Sequence, residues 1–397
     1  MMKFLAYLIC YLIYPFSFLF FRRRDKVAFG SYRMTFNDNA KALFIYVQKQ
    51  CPELDSAWVS MSKATVKTIR EKGLKAYSLF SPKGLFHALT SKYWFYNSYS
   101  SDILFCLSGG GVLVNLWHGL PLKRIEFGIE SGPLADRFVK KTWKERYFHP
   151  ETFQRPDYVL SSTKTVSEVF AHAFRVPLER CVEAGYPRNE VLGLQRGQLV
   201  DYVKQYESKE SQALVERLVN GRYSKVLVYM PTWRDSQRDL FVQSFDLARM
   251  DAIMREKNAL LLLKPHANVK VDPESFQRFP NLCFVDPGID MYPILPFTDV
   301  LITDYSSVMY DYLLMDDKDI ILYLYDYEQY GRDRDFSFPF ESHVAGRWAM
   351  DFDALCDCLE RDDYKMDPKE RERVVELFWG ETSTGSPGRR LLSFLFQ

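Results

Sequence analysis

Cysteine is scarce in this chain and follows no pairing pattern. Seven are scattered through 397 residues, and the closest pair, Cys356 and Cys358, has no second pair at zinc-ligand spacing. A disulfide scaffold is therefore excluded, and we expect reduced thiols in a cytosolic compartment and no metal site. An excess of charge of one sign is also missing: 52 Lys and Arg against 51 Asp and Glu leave a formal charge of +1. A chain that coats nucleic acid needs a basic excess, so no nucleic-acid partner is expected, and any bound anion must be met by a few placed cations. Internal repeats and low-complexity segments are lacking. The one glycine-rich stretch, "LSGGGVL" at 107–113, lacks the Lys-Ser/Thr ending of a nucleotide P-loop and reads as a flexible turn.

What is present is an ordinary globular balance, 47% hydrophobic and 26% charged, with a high aromatic share of 16%. The length exceeds what one hydrophobic core normally serves, which points to two domains. The N-terminus departs from that balance. Residues 4–21 read "FLAYLICYLIYPFSFLFF" and are followed at once by Arg22, Arg23 and Arg24. The run has about the minimum length for a bilayer crossing. A secretory signal carries its positive charge before the apolar run and a small-residue cleavage site after it; here the order is reversed. The basic cluster would keep the downstream chain on the cytoplasmic side. Pro15 and the aromatics fit a kinked interfacial helix as well as a span, and a buried first helix of the domain is the alternative. Residues 1–24 are expected to form a membrane-associating helix with a basic flank.

Beyond it, short apolar runs alternate with amphipathic ones. "VAFGS", "SAWVS", "KAYSLF", "KYWFYNS", "VLVNLWHG", "PDYVLSST" and "CVEAGYPR" read as strands in a first domain over 25–200. After a polar helical stretch the alternation restarts with "KVLVYMPTW", "ALLLLKPH", "LCFVD", "DVLITDY" and "DIILYLYD", a second domain over 221–380, and 381–397 is a tail. The boundary is expected between 196 and 224. Alternating strands and helices imply parallel sheets with helices on both faces, an α/β class in which ligands bind beyond the carboxyl ends of the strands.

The residues that follow the strands therefore matter most. In "DVLITDYSSVMYDYLL" (299–314) a strand turns into a helix at Asp304-Tyr305-Ser306-Ser307. Free backbone N–H groups at a helix start, with two hydroxyls added, suit a phosphate; plain capping is the alternative. Ionised Asp304 cannot bind phosphate directly and would orient a hydroxyl or accept backbone N–H groups. Lys264 and His266 end another strand, with Pro265 fixing the turn, and would supply a point charge and a second donor beside a diphosphate. Arg234 stands in a comparable place, with surface solvation as its default explanation, and Arg188 stands where the chain turns into a helix, where Asn189 or a helix-dipole role explains it as easily. His118 lies in the other half, in "VNLWHGLPLKR", with Lys123 and Arg124 close behind. An imidazole of ordinary pKa near 6.5 can take a proton from a hydroxyl at neutral pH. His87, His149, His172 and His343 have no comparable setting.

Taken in order, "WHGLPLKR", "AGYPRNEVL", "MPTWRDS", "LLLKPHANV" and "DVLITDYSSVMYDYLL" with "KDIILYLYDYEQY" resemble the CDP-glycerol glycerophosphotransferase family, which builds teichoic acids and related polyol-phosphate polymers. The resemblance spans about 113–330. It implies the GT-B fold, two Rossmann-like domains around a cleft, and a transfer of glycerol phosphate from CDP-glycerol to a hydroxyl of an undecaprenyl-diphosphate-linked acceptor, with CMP released. Ribitol-phosphate transfer, or a sugar-nucleotide GT-B glycosyltransferase of cell-envelope polymer synthesis, is the alternative. It further implies His118 and His266 as catalytic residues and Arg188, Arg234, Lys264, Asp304, Ser306, Ser307 and Lys123 as substrate-binding ones, with the imidazoles on either side of the pyrophosphate. The run 325–330 would line the donor pocket. No cofactor beyond the co-substrate CDP-glycerol is implied, and the expected location is the cytoplasmic face of the cell membrane. Two segments depart from the family pattern, "FESHVAGRW" (340–348) and "WGETSTGSPGRR" (379–390). Without a large accessory domain, the chain resembles the short members that extend a lipid-linked primer.

Overall fold

The computed structural model describes residues 2–132, 134–232, 245–264, 278–328, 330 and 335–397. The chain divides into two compact units, one formed by 1–190 with 378–397 and the other by 191–377. The first holds a parallel sheet of β1 (Arg23–Phe29), β2 (Asp55–Ser60), β3 (Ala76–Ser78), β4 (Ser91–Tyr96), β5 (Val112–Asn115), β6 (Tyr158–Ser161) and β7 (Cys181–Glu183). Its strand order is β3-β2-β1-β4-β5-β6-β7, and the paired strands run parallel throughout. The second holds β8 (Lys225–Met230), β9 (Ala259–Leu263), β10 (Leu282–Phe284), β11 (Val300–Thr303), β12 (Asp319–Tyr323) and β13 (Arg347–Ala349) in the order β10-β9-β8-β11-β12-β13. Both sheets are doubly wound. The order reverses between β1 and β4 in one and between β8 and β11 in the other, and a crevice opens at such a point beyond the strand ends.

Burial on both faces explains why the strands read as continuous apolar runs. All five residues of β9, "ALLLL", are buried. In the second unit Leu227 and Tyr229, Leu261 and Leu263, Val300 and Ile302, and Ile321 and Tyr323 fill one face by two-residue alternation. Helices Leu247–Glu256 and Phe352–Glu360 cover that face with Met250, Ile253, Met254, Leu355 and Leu359. Each is capped by a side chain: the carboxylates of Asp246 and Asp351 accept N–H groups of the first turn.

Three expectations change. The division falls at Glu190/Val191, so the polar helices Arg196–Tyr206 and Lys209–Asn220 belong to the second unit. The C-terminal segment is no tail. Helix Pro387–Leu395 packs into the first unit, where Tyr93 Oη donates to the Leu395 carbonyl at 3.0 Å. The fit is close at Gly388, where a Cβ would sit 3.0 Å from the Tyr46 ring and the ring would have to shift by a few tenths of an ångström. The N-terminal run forms a helix only from Met2 to Ser17, and no helix among the described residues is long and apolar enough to cross a membrane.

The expected basic flank is not a free cluster either. Arg22 turns inward, 9% exposed, and donates to the carbonyls of Ala88, Ser91, Leu107 and Gly109 at 2.5–3.1 Å. Arg23 opens β1 and pairs with Asp25. One side of the helix packs on the domain through Tyr14 stacked on Phe105 at 4.8 Å and Phe4 stacked on Tyr147 at 4.8 Å.

Candidate functional site

In the first unit His118 stands just beyond β5, on a turn whose side-chain exposure contrasts with its buried frame. Asn115, Leu116 and Trp117 before it are buried, while His118 itself is exposed. Trp117 adopts a left-handed backbone, φ 49°, and its indole lies 4.1 Å from the imidazole. Nδ1 of His118 lies 3.4 Å from the Asn97 carbonyl, a long contact. A carbonyl only accepts, so Nδ1 carries the proton in that contact and the lone pair is on Nε2. The surrounding protein holds the imidazole below its ordinary pKa; the Asp38 carboxylate and the Asn97 carbonyl oppose this, and the Arg188 guanidinium adds to it. The ring's exposed edge tempers the burial effect, but the direction favours a neutral imidazole at pH 7, the form able to accept a proton.

Arg188 belongs to this frame. It is 4% exposed, and one Nη1 donates both to Asp38 Oδ1 at 2.7 Å and to the His118 carbonyl at 2.8 Å. Its guanidinium is committed inside the first unit, beside the histidine rather than displayed to solvent. Lys123, half-buried, follows on the same turn.

The second unit offers a different chemistry at its switch point. Asp304, 1% exposed, ends β11 and accepts the Thr232 N–H beyond β8 through both carboxylate oxygens, at 2.9 and 3.1 Å. It ties the two strand ends that bound the crevice, the backbone-accepting role open to it from sequence. Ser306 and Ser307 follow, half-buried. Ser307 is the N-cap of helix Val308–Tyr312 but makes no side-chain cap bond, and neither hydroxyl is hydrogen-bonded among the described residues. The capping alternative thus leaves both hydroxyls unused. The helix has only five residues, so its dipole is small, and hydroxyls rather than a macrodipole are what this turn presents.

Lys264, just after β9, points Nζ at the Asp286 carbonyl at 2.6 Å. Burial draws its pKa down to about 8, opposed by Asp286 and Asp290. Behind the turn, Tyr305 stacks on Tyr330 at 3.8 Å, within the aromatic run singled out in the sequence. His266 and Arg234 lie outside the described residues. Sequence reasoning did not single out Asp38, Asn39 or Asn97, and took Thr232 only as part of the segment "MPTWRDS" that carries Arg234. Asn97 and Thr232 follow β4 and β8 and obey the strand-end rule. Asp38 and Asn39 open helix Asp38–Gln50 and carry no local signal for a histidine that lies far along the chain.

Two doubly wound parallel units, each with polar side chains beyond its strand ends, make an α/β composition similar to that of GT-B proteins. The chain belongs to the CDP-glycerol:poly(glycerophosphate) glycerophosphotransferase family, whose profile matches residues 12–397. It is 27% identical over 334 residues to a teichoic acid glycerol-phosphate transferase of Staphylococcus aureus, covering 83% of this chain and 81% of that protein. It is 29% identical over 296 residues to the teichoic acid ribitol-phosphate polymerase TarK of the same species, covering 72% of this chain. It spans about half of TarK, 52%, and 42% of a Bacillus subtilis teichoic acid poly(glycerol phosphate) polymerase. Among solved structures, the wall teichoic acid polymerase TagF superposes with a TM-score of 0.73 at 23% identity, over 94% of this chain and 89% of that one, a likeness of fold.

Proposed function

We propose that this protein transfers glycerol phosphate from CDP-glycerol to a hydroxyl of an undecaprenyl-diphosphate-linked acceptor, releasing CMP, in the synthesis of teichoic acid or a related polymer. The observation that carries this is the coexistence, in one chain of this family, of an exposed imidazole with its Nδ1 engaged and two serine hydroxyls left uncommitted at a switch point. The donor's diphosphate would accept hydrogen bonds from Ser306 and Ser307 and charge from Lys264, with Arg234 and His266 as further donors. Nε2 of His118 would take the acceptor hydroxyl proton while that oxygen attacks the β-phosphorus. The new P–O bond forms as the bond from the β-phosphorus to the bridging oxygen breaks, and that oxygen leaves on CMP. Such transfers depend on alignment and charge stabilisation, which these residues supply without a cofactor.

Ribitol phosphate is the second reading, favoured by the 29% identity to TarK. CMP release with CDP-glycerol, CDP-ribitol and UDP-sugars offered separately tests the choice. CDP-glycerol should give the highest turnover; a preference for CDP-ribitol reassigns the polyol, and release of UDP instead of CMP removes the family chemistry.

The protein would work peripherally at the cytoplasmic face of the membrane. In support, the N-terminal helix exposes Phe4, Leu5, Leu8, Leu12 and Phe16, and the chain after it exposes Phe18, Leu19, Phe20 and Phe21. A short helix held on the domain by one side and apolar on the other would lie in the interface rather than across it. Loss of vesicle flotation on changing Leu8, Leu12 and Phe16 together to Ser is expected; undiminished flotation would contradict it.

A further inference from the structure

The turn carrying His118 enters from β5 with the Leu116 N–H on the Tyr96 carbonyl at 2.8 Å, and from there its carbonyls are taken one after another by buried side chains. Asn39 Nδ2 donates to the Leu116 carbonyl at 3.2 Å and to that of Trp117 at 3.0 Å. Arg188 Nη1 donates to the His118 carbonyl at 2.8 Å, and Tyr186 Oη to that of Gly119 at 3.1 Å. Four successive carbonyls are thereby fixed from two distant parts of the chain. The donors are fixed in turn: Asn39 Oδ1 accepts the Arg188 N–H at 3.3 Å, and Asp38 Oδ1 accepts from both Arg188 Nη1 and the Asn39 N–H at 2.7 Å. Asn39 and Tyr186 are fully buried and Arg188 nearly so. The clamp also spans strain, since Trp117 at φ 49° and Asp38 at φ 63° both occupy the left-handed region. Non-glycine residues keep such conformations only where their surroundings over-determine them.

Buried carbonyls need donors in any fold; what is particular here is that the donors are bonded to one another as well as to the segment that bears the imidazole. We infer that Asp38, Asn39 and Arg188 are positioning residues, a clamp that sets where the His118 imidazole points and which charges it faces. The inference rests on the proposed role of His118 as base and deepens it. The charged groups felt by the imidazole are those of the clamp itself, the Asp38 carboxylate from helix Asp38–Gln50 and the Arg188 guanidinium from the turn after β7. They act in opposite senses, so the charge and the geometry of the clamp can be changed separately.

Arg188→Lys keeps the cation but shortens the reach to the His118 carbonyl. Asp38→Asn keeps an acceptor oxygen but removes the negative charge. The expected result for Arg188→Lys is a kcat reduced by at least about tenfold, with CDP-glycerol affinity by calorimetry within about twofold. Imidazole titration is read in protein carrying 13C-labelled histidine, with the His118 signal assigned by its absence in His118→Gln. Its midpoint should move down in Asp38→Asn and up in Arg188→Met. Donor affinity and thermal melting of each variant report whether it is folded, and Asn39→Asp, which loses both amide donations, provides a second geometric variant. Wild-type kcat in both Arg188→Lys and Asn39→Asp, or a His118 midpoint unmoved in both charge variants, overturns the clamp. Should the wild-type chain release no CMP at all, the functional reading fails while the titration still decides the clamp.

Discussion

Replacing Arg22 by Met should destabilise the first unit by about 3 kcal/mol. The guanidinium gives five hydrogen bonds to four main-chain carbonyls, from Ala88, Ser91, Leu107 and Gly109, with no carboxylate among its partners. Burial draws its pKa down to about 10, partly offset by Tyr14, so it remains a cation at neutral pH. Methionine fills much of the same volume but leaves four carbonyls without their donor, at about 1 kcal/mol each. Relief from burying a charge returns part of this. Urea unfolding is followed by tryptophan fluorescence, to which Trp94, fully buried with its ring centroid 5.8 Å from the guanidinium carbon, contributes with the six other tryptophans. An Arg22 serving as a membrane flank predicts the opposite pair of results: unchanged unfolding in solution and weaker binding to anionic vesicles. An unfolding free energy within about 0.5 kcal/mol of wild type would refute the buried role and restore that flank.

His118→Ala should lower turnover by about 10²- to 10⁴-fold and leave CDP-glycerol affinity within about twofold; near wild-type turnover would remove His118 as the base. Ser307→Ala should weaken CDP-glycerol binding by about tenfold in calorimetry, and unchanged affinity would place the diphosphate elsewhere. Burial pulls the pKa of His87 down to about 4, with Nε2 3.0 Å from the Val27 carbonyl. The unfolded chain then takes up that proton first, so the associated stability is complete above about pH 6.5 and lost as pH falls from there toward 4, by about 3 kcal/mol. His87→Gln should abolish this contribution, and parallel acid-unfolding curves for the variant and wild type would contradict it. Turnover should persist in excess EDTA, and loss restored by a divalent cation would show that a metal takes part.

The sheets were legible because parallel strands are buried on both faces, which writes "ALLLL" and the "VLI" of "DVLITDY" into the sequence as short apolar runs. Position after a strand was enough to select His118, Lys264 and Ser306-Ser307, because a doubly wound sheet brings its ligands there. The edge strand β13, which begins at the end of "FESHVAGRW", was not legible: it runs from exposed Arg347 to buried Ala349 without the apolar stretch that marked the equally short β3, β7 and β10. Arg22 to Arg24 misled for a related reason. Three arginines after an apolar run look alike in sequence, whereas one faces inward to carbonyls supplied by residues 88–109 and another enters β1. Arg188 was found by position but not by partner, since its contacts Asp38 and His118 are set by the fold.

The most direct test of the account is the reaction of CDP-glycerol with an undecaprenyl-diphosphate-linked primer, run with wild type and His118→Ala side by side. CMP and lipid product are measured together by mass. The account predicts CMP release matched by glycerol phosphate gained on the primer, both falling together in the variant. CMP without an extended primer, an extension by another group, or equal rates for the two proteins would contradict it.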